Sequence, residues 1–234
     1  MTFFSMHDHA EPHHFVAQRT ARYWTAGPPP SEALGTLYAL HGYGQLAEYF
    51  IRKFQPVADA GWRVIAPEGA HRFYLQGFSG RVGASWMTKE DRLSDIADYV
   101  AFLDQLRQGE GPVRSQGPYV LLGFSQGVAT ALRWLALGRD GVASWDGVIA
   151  HSGIIPPDLP EEPGLLFQAP HLHLIAGKAD EYIDQLDRRF DDTEAEWKRL
   201  GGPAEGVTRH VFDGGHAVHT PSVMAALERI RAGG

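Results

Sequence analysis

The stretch Tyr119 to Thr130, YVLLGFSQGVAT, constrains the fold more than any other part of the chain. It begins as an apolar run suited to a buried strand and ends in a helical pattern, with no room for a loop between them. A strand that passes straight into a helix bends tightly, and the residue at the tip is pushed above the sheet edge in a strained backbone conformation. Residues two positions to either side of the tip then approach each other, and glycine at 123 and 127 removes the side chains that would collide. The residue at the tip is Ser125. The helix that follows aims its N-terminus at this serine, so the N–H of Gln126 is free to donate to an oxyanion forming beside it. The segment QGFSGRVG around Ser79 lacks the second glycine at the required spacing and has no strand before it, so Ser79 is read as a loop residue.

Apolar patterning places strands at Phe15–Thr25, Thr36–Leu40, Trp62–Ala66, Tyr119–Phe124, Trp145–Ala150, His171–Ala176 and Val207–Phe212. Helical periodicity marks Leu46–Ala60, Asp91–Leu106, Gln126–Leu137, Leu186–Leu200 and Pro221–Arg231, with Gly61 and Gly201 as stops and Thr220 as an N-cap. Strands alternating with helices imply an α/β fold: a mainly parallel sheet with helices on both faces and no large lid domain. The strand before the Gly27–Glu32 turn is expected to pair antiparallel at an edge. In such sheets the chemistry gathers at the carboxyl ends of the strands. The 234 residues suit one domain over 1–234, with 1–14 as a polar tail. The histidines at 7, 9, 13 and 14 match no specific metal-site spacing and are read as part of that tail.

Composition removes several classes of function. The chain has no cysteine, which rules out disulfides, thiolate nucleophiles and zinc–thiolate sites. A net charge of -7 argues against nucleic acid as a partner. No segment reaches the roughly 20 apolar residues of a membrane span. The N-terminal stretch lacks the pattern of a signal peptide, so a cytoplasmic location is expected.

A serine hydroxyl needs a base and a carboxylate to orient that base, and on this architecture they follow in the order Ser, acid, His. His216, in VFDGGHAVH just after the last strand, is the best-placed base, with His219 as a rival; His151 is read as a pocket or packing residue and His171, His173 and His210 as structural. Asp180, in the loop after the strand LHLIAG, is the expected acid, with Glu181 and Asp184 as nearby alternatives. A second oxyanion donor is expected from the loop His41-Gly42-Tyr43-Gly44, through the N–H of Tyr43, with His41 bracing the loop.

LHGYG, GFSQG, the SG after the next strand, GKAD and GGH, in this order, resemble the carboxylesterase/phospholipase family of α/β-hydrolases, which also contains the acyl-protein thioesterases. The resemblance runs from Leu37 to about Ile230. It implies Ser125 as nucleophile, His216 as base, Asp180 as its partner, the Tyr43 and Gln126 amides as oxyanion hole, and no metal or cofactor. The chain departs from the family pattern at Val128, at Tyr43 and in the Asp180-Glu181-Tyr182-Ile183 segment.

Glu68–Lys89 shows no clear period and many glycines, and long irregular segments are usually functional. Phe73, Tyr74, Leu75, Phe78 and Trp86 either wall a substrate pocket, with Ile154 and the loop to Phe167 opposite, or anchor a surface loop through their aromatic rings. The leading expectation is a serine hydrolase acting on small or medium carboxylic esters through an acyl-enzyme. A thioesterase or lysophospholipase would use the same residues. A non-catalytic ligand-binding protein on the same scaffold is the reading from another class.

Overall fold

The computed structural model describes residues 11–110, 117–138, 145–160 and 171–233. Nine strands are placed among them: β1 (Tyr23–Ala26), β2 (Thr36–Leu40), β3 (Arg63–Pro67), β4 (His71–Tyr74), β5 (Val82–Ser85), β6 (Tyr119–Phe124), β7 (Gly147–His151), β8 (Leu172–Gly177) and β9 (Val207–Phe212). The α-helices are α1 (Ala47–Phe50), α2 (Gln55–Asp59), α3 (Arg92–Glu110), α4 (Gln126–Leu137), α5 (Leu186–Arg199) and α6 (Thr220–Arg231). Seven strands form one sheet in the order β1-β3-β2-β6-β7-β8-β9. β1 runs antiparallel to β3 at the edge, and the other pairings are parallel.

Strands β2, β6, β7 and β8 are buried along their whole length, as a sheet covered on both faces requires. Their side chains alternate between two cores. Tyr38, Leu40 and Leu121 pack with α3 and α4, through residues such as Leu103, Val128 and Leu132. Leu37, Ala39, Val120 and Leu122 pack with the α1–α2 segment and α6, through Phe50, Phe54, Val223 and Leu227. Because the side-chain period is two, this register cannot slip by one residue without exchanging the two cores.

Four elements depart from expectation. Of the expected first strand Phe15–Thr25 only Tyr23–Thr25 pairs, β1 running one residue further to Ala26; Phe15 and Val16 upstream are 88% and 97% exposed. The helix expected over Leu46–Ala60 is broken into α1, a 3-10 turn (Ile51–Phe54) and α2, with Pro56 opening the last piece. Proline lacks the N–H that a continuous helix would need there. The segment expected to be irregular carries the antiparallel hairpin β4–β5, whose pairs run from His71↔Ser85 to Tyr74↔Val82. Finally, His219 holds the N-cap position of α6, and Thr220 is its first residue, its hydroxyl donating to Lys53 O at 2.8 Å.

His7 and His9 of the expected tail lie outside the described residues, while His14 lies 2.9 Å from Asp91 at the start of α3. No helix among the described residues is long and apolar enough to cross a membrane.

Candidate active site

The carboxyl ends of β2, β6, β7, β8 and β9 deliver the site. Ser125 stands between β6 and α4 at φ 54°, ψ −118°. That backbone conformation is disfavoured for any residue with a side chain and persists only when its surroundings enforce it. The enforcement is visible. A methyl group built on Gly123 would lie 2.3 Å from Gly127 O, and one on Gly127 would lie 2.2 Å from Leu40 O at the end of β2. The Ser125 N–H donates to His151 O at 2.9 Å, which fixes the bend against β7.

His216 comes from the loop after β9. Its Nε2 lies 2.9 Å from Ser125 Oγ, and its Nδ1 lies 2.9 and 3.0 Å from the two carboxylate oxygens of Asp180. With an acid on Nδ1, that nitrogen carries the proton and Nε2 faces the serine as an acceptor. The Asp180 side chain is fully buried, and its Oδ1 also accepts the N–H of Tyr182 at 3.0 Å. The loop reaches this position because Gly214 and Gly215 pass over Gly177: a methyl group on Gly177 would meet Gly214 O at 2.2 Å.

The alternatives lie elsewhere. His219 stacks flat on Phe212 at 4.4 Å and pairs through Nδ1 with Ser222 Oγ at 2.8 Å. His151 is completely buried, and its Nε2 accepts the N–H of His219 at 2.9 Å. Burial, with neighbouring His219 and His216, pushes the pKa of His151 down to about 3, so it stays neutral. Glu181 accepts the backbone N–H of His216 at 3.3 Å and leaves the ring to Asp180; Asp184 is exposed. Two contacts were not anticipated from sequence. Tyr182 sets its ring against the His216 imidazole at 4.6 Å, and Phe124 does so at 5.0 Å. The position of Tyr182 two residues after Asp180 was the only available signal.

On the other side of Ser125 lies the loop from β2. Gly42 N–H is already committed to Gln45 Oε1 at 3.0 Å. Tyr43 N–H has no acceptor among the described residues, and Gln126 N–H opens α4, where no intrahelical acceptor exists. His41 donates from Nδ1 to Gly42 O at 2.8 Å and accepts Gly69 N–H on Nε2 at 2.9 Å. Burial lowers its pKa to about 4, against the opposing effects of that carbonyl and of Glu68, so it is a neutral brace within the loop. An imidazole beside a hydroxyl, an acid behind the imidazole and two unpaired amides nearby can transfer a proton and stabilise a developing oxyanion.

The expected pocket residues divide. Phe73 packs on Tyr43 at 5.1 Å, and Leu75 reaches Gly44 in the same loop, so both border the site. Ile154, after β7, is 46% exposed. Trp86 is instead a core residue, 1% exposed and stacked on His41 at 5.0 Å. Phe78 is 98% exposed in the turn of the β4–β5 hairpin. Phe78 lies in the turn between the two strands, whereas Trp86 directly follows β5 and enters the core. Residues 161–167 of the second expected wall lie outside the described residues.

No protein-family model matches the chain, and no curated protein matches it by sequence. Solved structures do match by shape. The esterase PE8 is 22% identical with a TM-score of 0.65, over 92% of this chain and 99% of that one. Zea mays acyl-protein thioesterase 2 is 18% identical with a TM-score of 0.63, over 91% and 99% of the two chains. A carboxylesterase from Mesorhizobium loti is 17% identical with a TM-score of 0.67, over 92% and 95%. Together with the mainly parallel seven-stranded sheet, these likenesses show that the chain has the α/β-hydrolase fold.

Proposed function

We propose that the protein is a serine hydrolase of small or medium carboxylic esters, working as a single α/β-hydrolase domain without metal or cofactor. The observation that carries this reading is the hydrogen-bonded line Ser125–His216–Asp180, built on a strained serine. Ser125 Oγ attacks the ester carbonyl while His216 Nε2 takes its proton. The carbonyl oxygen becomes an oxyanion held by the N–H groups of Tyr43 and Gln126. Collapse of the tetrahedral species expels the alcohol, which receives the proton from His216, and leaves an acyl group on Ser125. Water, deprotonated by His216, then attacks the acyl carbon. The carboxylic acid departs and the proton returns to Ser125. Asp180 orients the imidazole and stabilises its charged form through both transfers.

The structural neighbours named as esterases and carboxylesterases support this class of reaction. A short-chain nitrophenyl ester assay tests it: wild-type protein hydrolyses the ester, and Ser125→Ala falls to background. Equal rates would reject the assignment. The likeness to an acyl-protein thioesterase favours a second reading, in which the same residues cleave a thioester. A panel of matched esters and thioesters of increasing acyl length separates the two. Strong preference for the thioester would replace the first reading with the second.

A further inference from the structure

The side chain of Gln126 takes no part in the proton transfers above, yet it is among the most heavily bonded polar groups near the site. Its Nε2 donates to Met87 O at 2.9 Å and to Ser85 Oγ at 3.0 Å. Its Oε1 accepts the N–H of Trp86 at 3.2 Å. Ser85 Oγ in turn donates to Met87 O at 2.8 Å. The three Gln126 bonds all go to one short segment, Ser85–Met87, at the end of β5.

The same segment grips the loop that carries Tyr43. Trp86 Nε1 donates to His41 O at 2.9 Å, and its ring stacks on the His41 imidazole at 5.0 Å. Gly44 N–H donates to Ala84 O at 2.8 Å, and Ala84 N–H donates to Gln45 O at 3.2 Å. Gln45 Oε1 then accepts Gly42 N–H at 3.0 Å. A methyl group on Gly83 would lie 2.4 Å from Gly44 O, so β5 and the loop touch backbone to backbone. Ala84–Met87 is thus bonded to the Tyr43 loop on one side and to the Gln126 side chain on the other.

Packing alone does not require this. Burial accounts for the Trp86 ring and for the need of its indole N–H to find an acceptor, but not for an amide side chain whose donor and acceptor are both filled by the segment that also holds the Tyr43 loop. An oxyanion hole works only when its two donors are set in advance at hydrogen-bond distance from one oxygen. Here the donors come from loops far apart in sequence: β2–β6 pairing and the contact of Gly127 with Leu40 O set where the two strand ends lie, and the Gln126 side chain adds a tie to the loop beyond them.

We propose that the Gln126 side chain is a positioning residue that sets the spacing of the two oxyanion donors, acting through Ser85, Trp86 and Met87. This rests on the ester-hydrolase reading above. Substituting the side chain leaves the Gln126 N–H in place but removes its tie, through Ser85–Met87, to the Tyr43 loop. The loss therefore falls on the transition state and not on ground-state binding.

The test compares wild type, Gln126→Met, Ser85→Ala and Trp86→Phe in steady-state hydrolysis of a short-chain nitrophenyl ester. Thermal unfolding is followed on each, together with inhibition by a trifluoromethyl ketone, whose adduct with serine carries an oxyanion. For Gln126→Met the expected result is a kcat lower by about 10–100-fold with KM within about threefold. Ketone affinity falls in parallel, and the pH–rate profile is unmoved because His216 and Asp180 are untouched. Ser85→Ala, the mildest change, is expected to lose about 3–10-fold in the same direction. Gln126→Met combined with Trp86→Phe is expected to be little worse than the worse single variant, since both break one path. A folded Gln126→Met or Ser85→Ala enzyme with wild-type kcat and ketone affinity overturns the inference. So does a loss confined to KM or to thermal stability. A wild-type protein that fails to hydrolyse the ester overturns the hydrolase reading itself, and this inference with it.

Discussion

The backbone N–H of His219 donates to Nε2 of His151 across 2.9 Å, and this bond ties the loop that carries His216 to the end of β7. The acceptor is permanent at physiological pH, since His151 stays neutral down to about pH 3. His151→Ala removes it and leaves a cavity between Phe124 and Phe212, the aromatic rings that flank the imidazole. The expected loss is about 2–4 kcal/mol of stability, from the cavity and the unpaired N–H together. A lowered urea midpoint with unchanged slope checks it. Ester turnover should fall as well, because the His216 loop loses its anchor.

Three buried histidines give stability a definite dependence on pH. Burial pushes His41 down to about 4, and His151 and His173 to about 3, from an ordinary value of 6.5. His173 is also faced by His210 at 2.9 Å, by His171 and by Arg229, all of which disfavour a charge on it. The folded chain refuses protons that the unfolded chain accepts. This stabilisation is complete above pH 6.5 and is lost as pH falls from 6.5 toward 4 and then 3. Each refused proton removes about 1.4 kcal/mol per pH unit across that window. The urea midpoint should therefore drop steeply between about pH 6.5 and 4. A flat profile would mean that these rings take up protons in the folded state as readily as in the unfolded chain.

Asp180 alone among the loop acids touches the His216 ring. Asp180→Asn keeps the shape but removes the charge, and is expected to lower kcat by about 10²–10⁴-fold. Asp184→Asn, on an exposed side chain, should leave kcat unchanged. Glu181→Gln should have a small effect, since Glu181 meets only the backbone of His216. Kinetics on the three variants decide the assignment, and a large loss at Asp184 would undo it.

The bend under Ser125 tolerates no added carbon. Gly123→Ala would push a methyl group to 2.3 Å from Gly127 O, where backbone and not a flexible side chain must yield. Destabilisation of about 1–3 kcal/mol is expected, with Ser125 displaced from His216. Labelling of Ser125 by a fluorophosphonate, read by mass spectrometry, should fail or slow greatly in this variant. Wild-type labelling kinetics would show that the crowding can relax.

What the amino-acid order decides by itself is local. The apolar runs of β2, β6 and β8, the glycines around Ser125 and the histidine after β9 are legible because strand burial and tight bends impose residue types at fixed spacings. The antiparallel edge strand β1 was legible too, from the prolines behind it. The choice among neighbours of like chemistry belongs to the tertiary structure. His216 and His219 are three residues apart, and Asp180, Glu181 and Asp184 share one loop, so spacing cannot rank them. Their roles separate because parallel pairing of β6, β7, β8 and β9 brings the ends of those strands into one row, and only one ring and one carboxylate then point along it. The hairpin β4–β5 escaped the sequence because its glycines mask the alternation. Its bonding to Gln126 escaped it because contacts between residues about 40 positions apart leave no periodic trace. Trp86 and Phe78 show the same limit: equally aromatic and only eight residues apart, one follows β5 into the core and the other stands exposed in the β4–β5 turn.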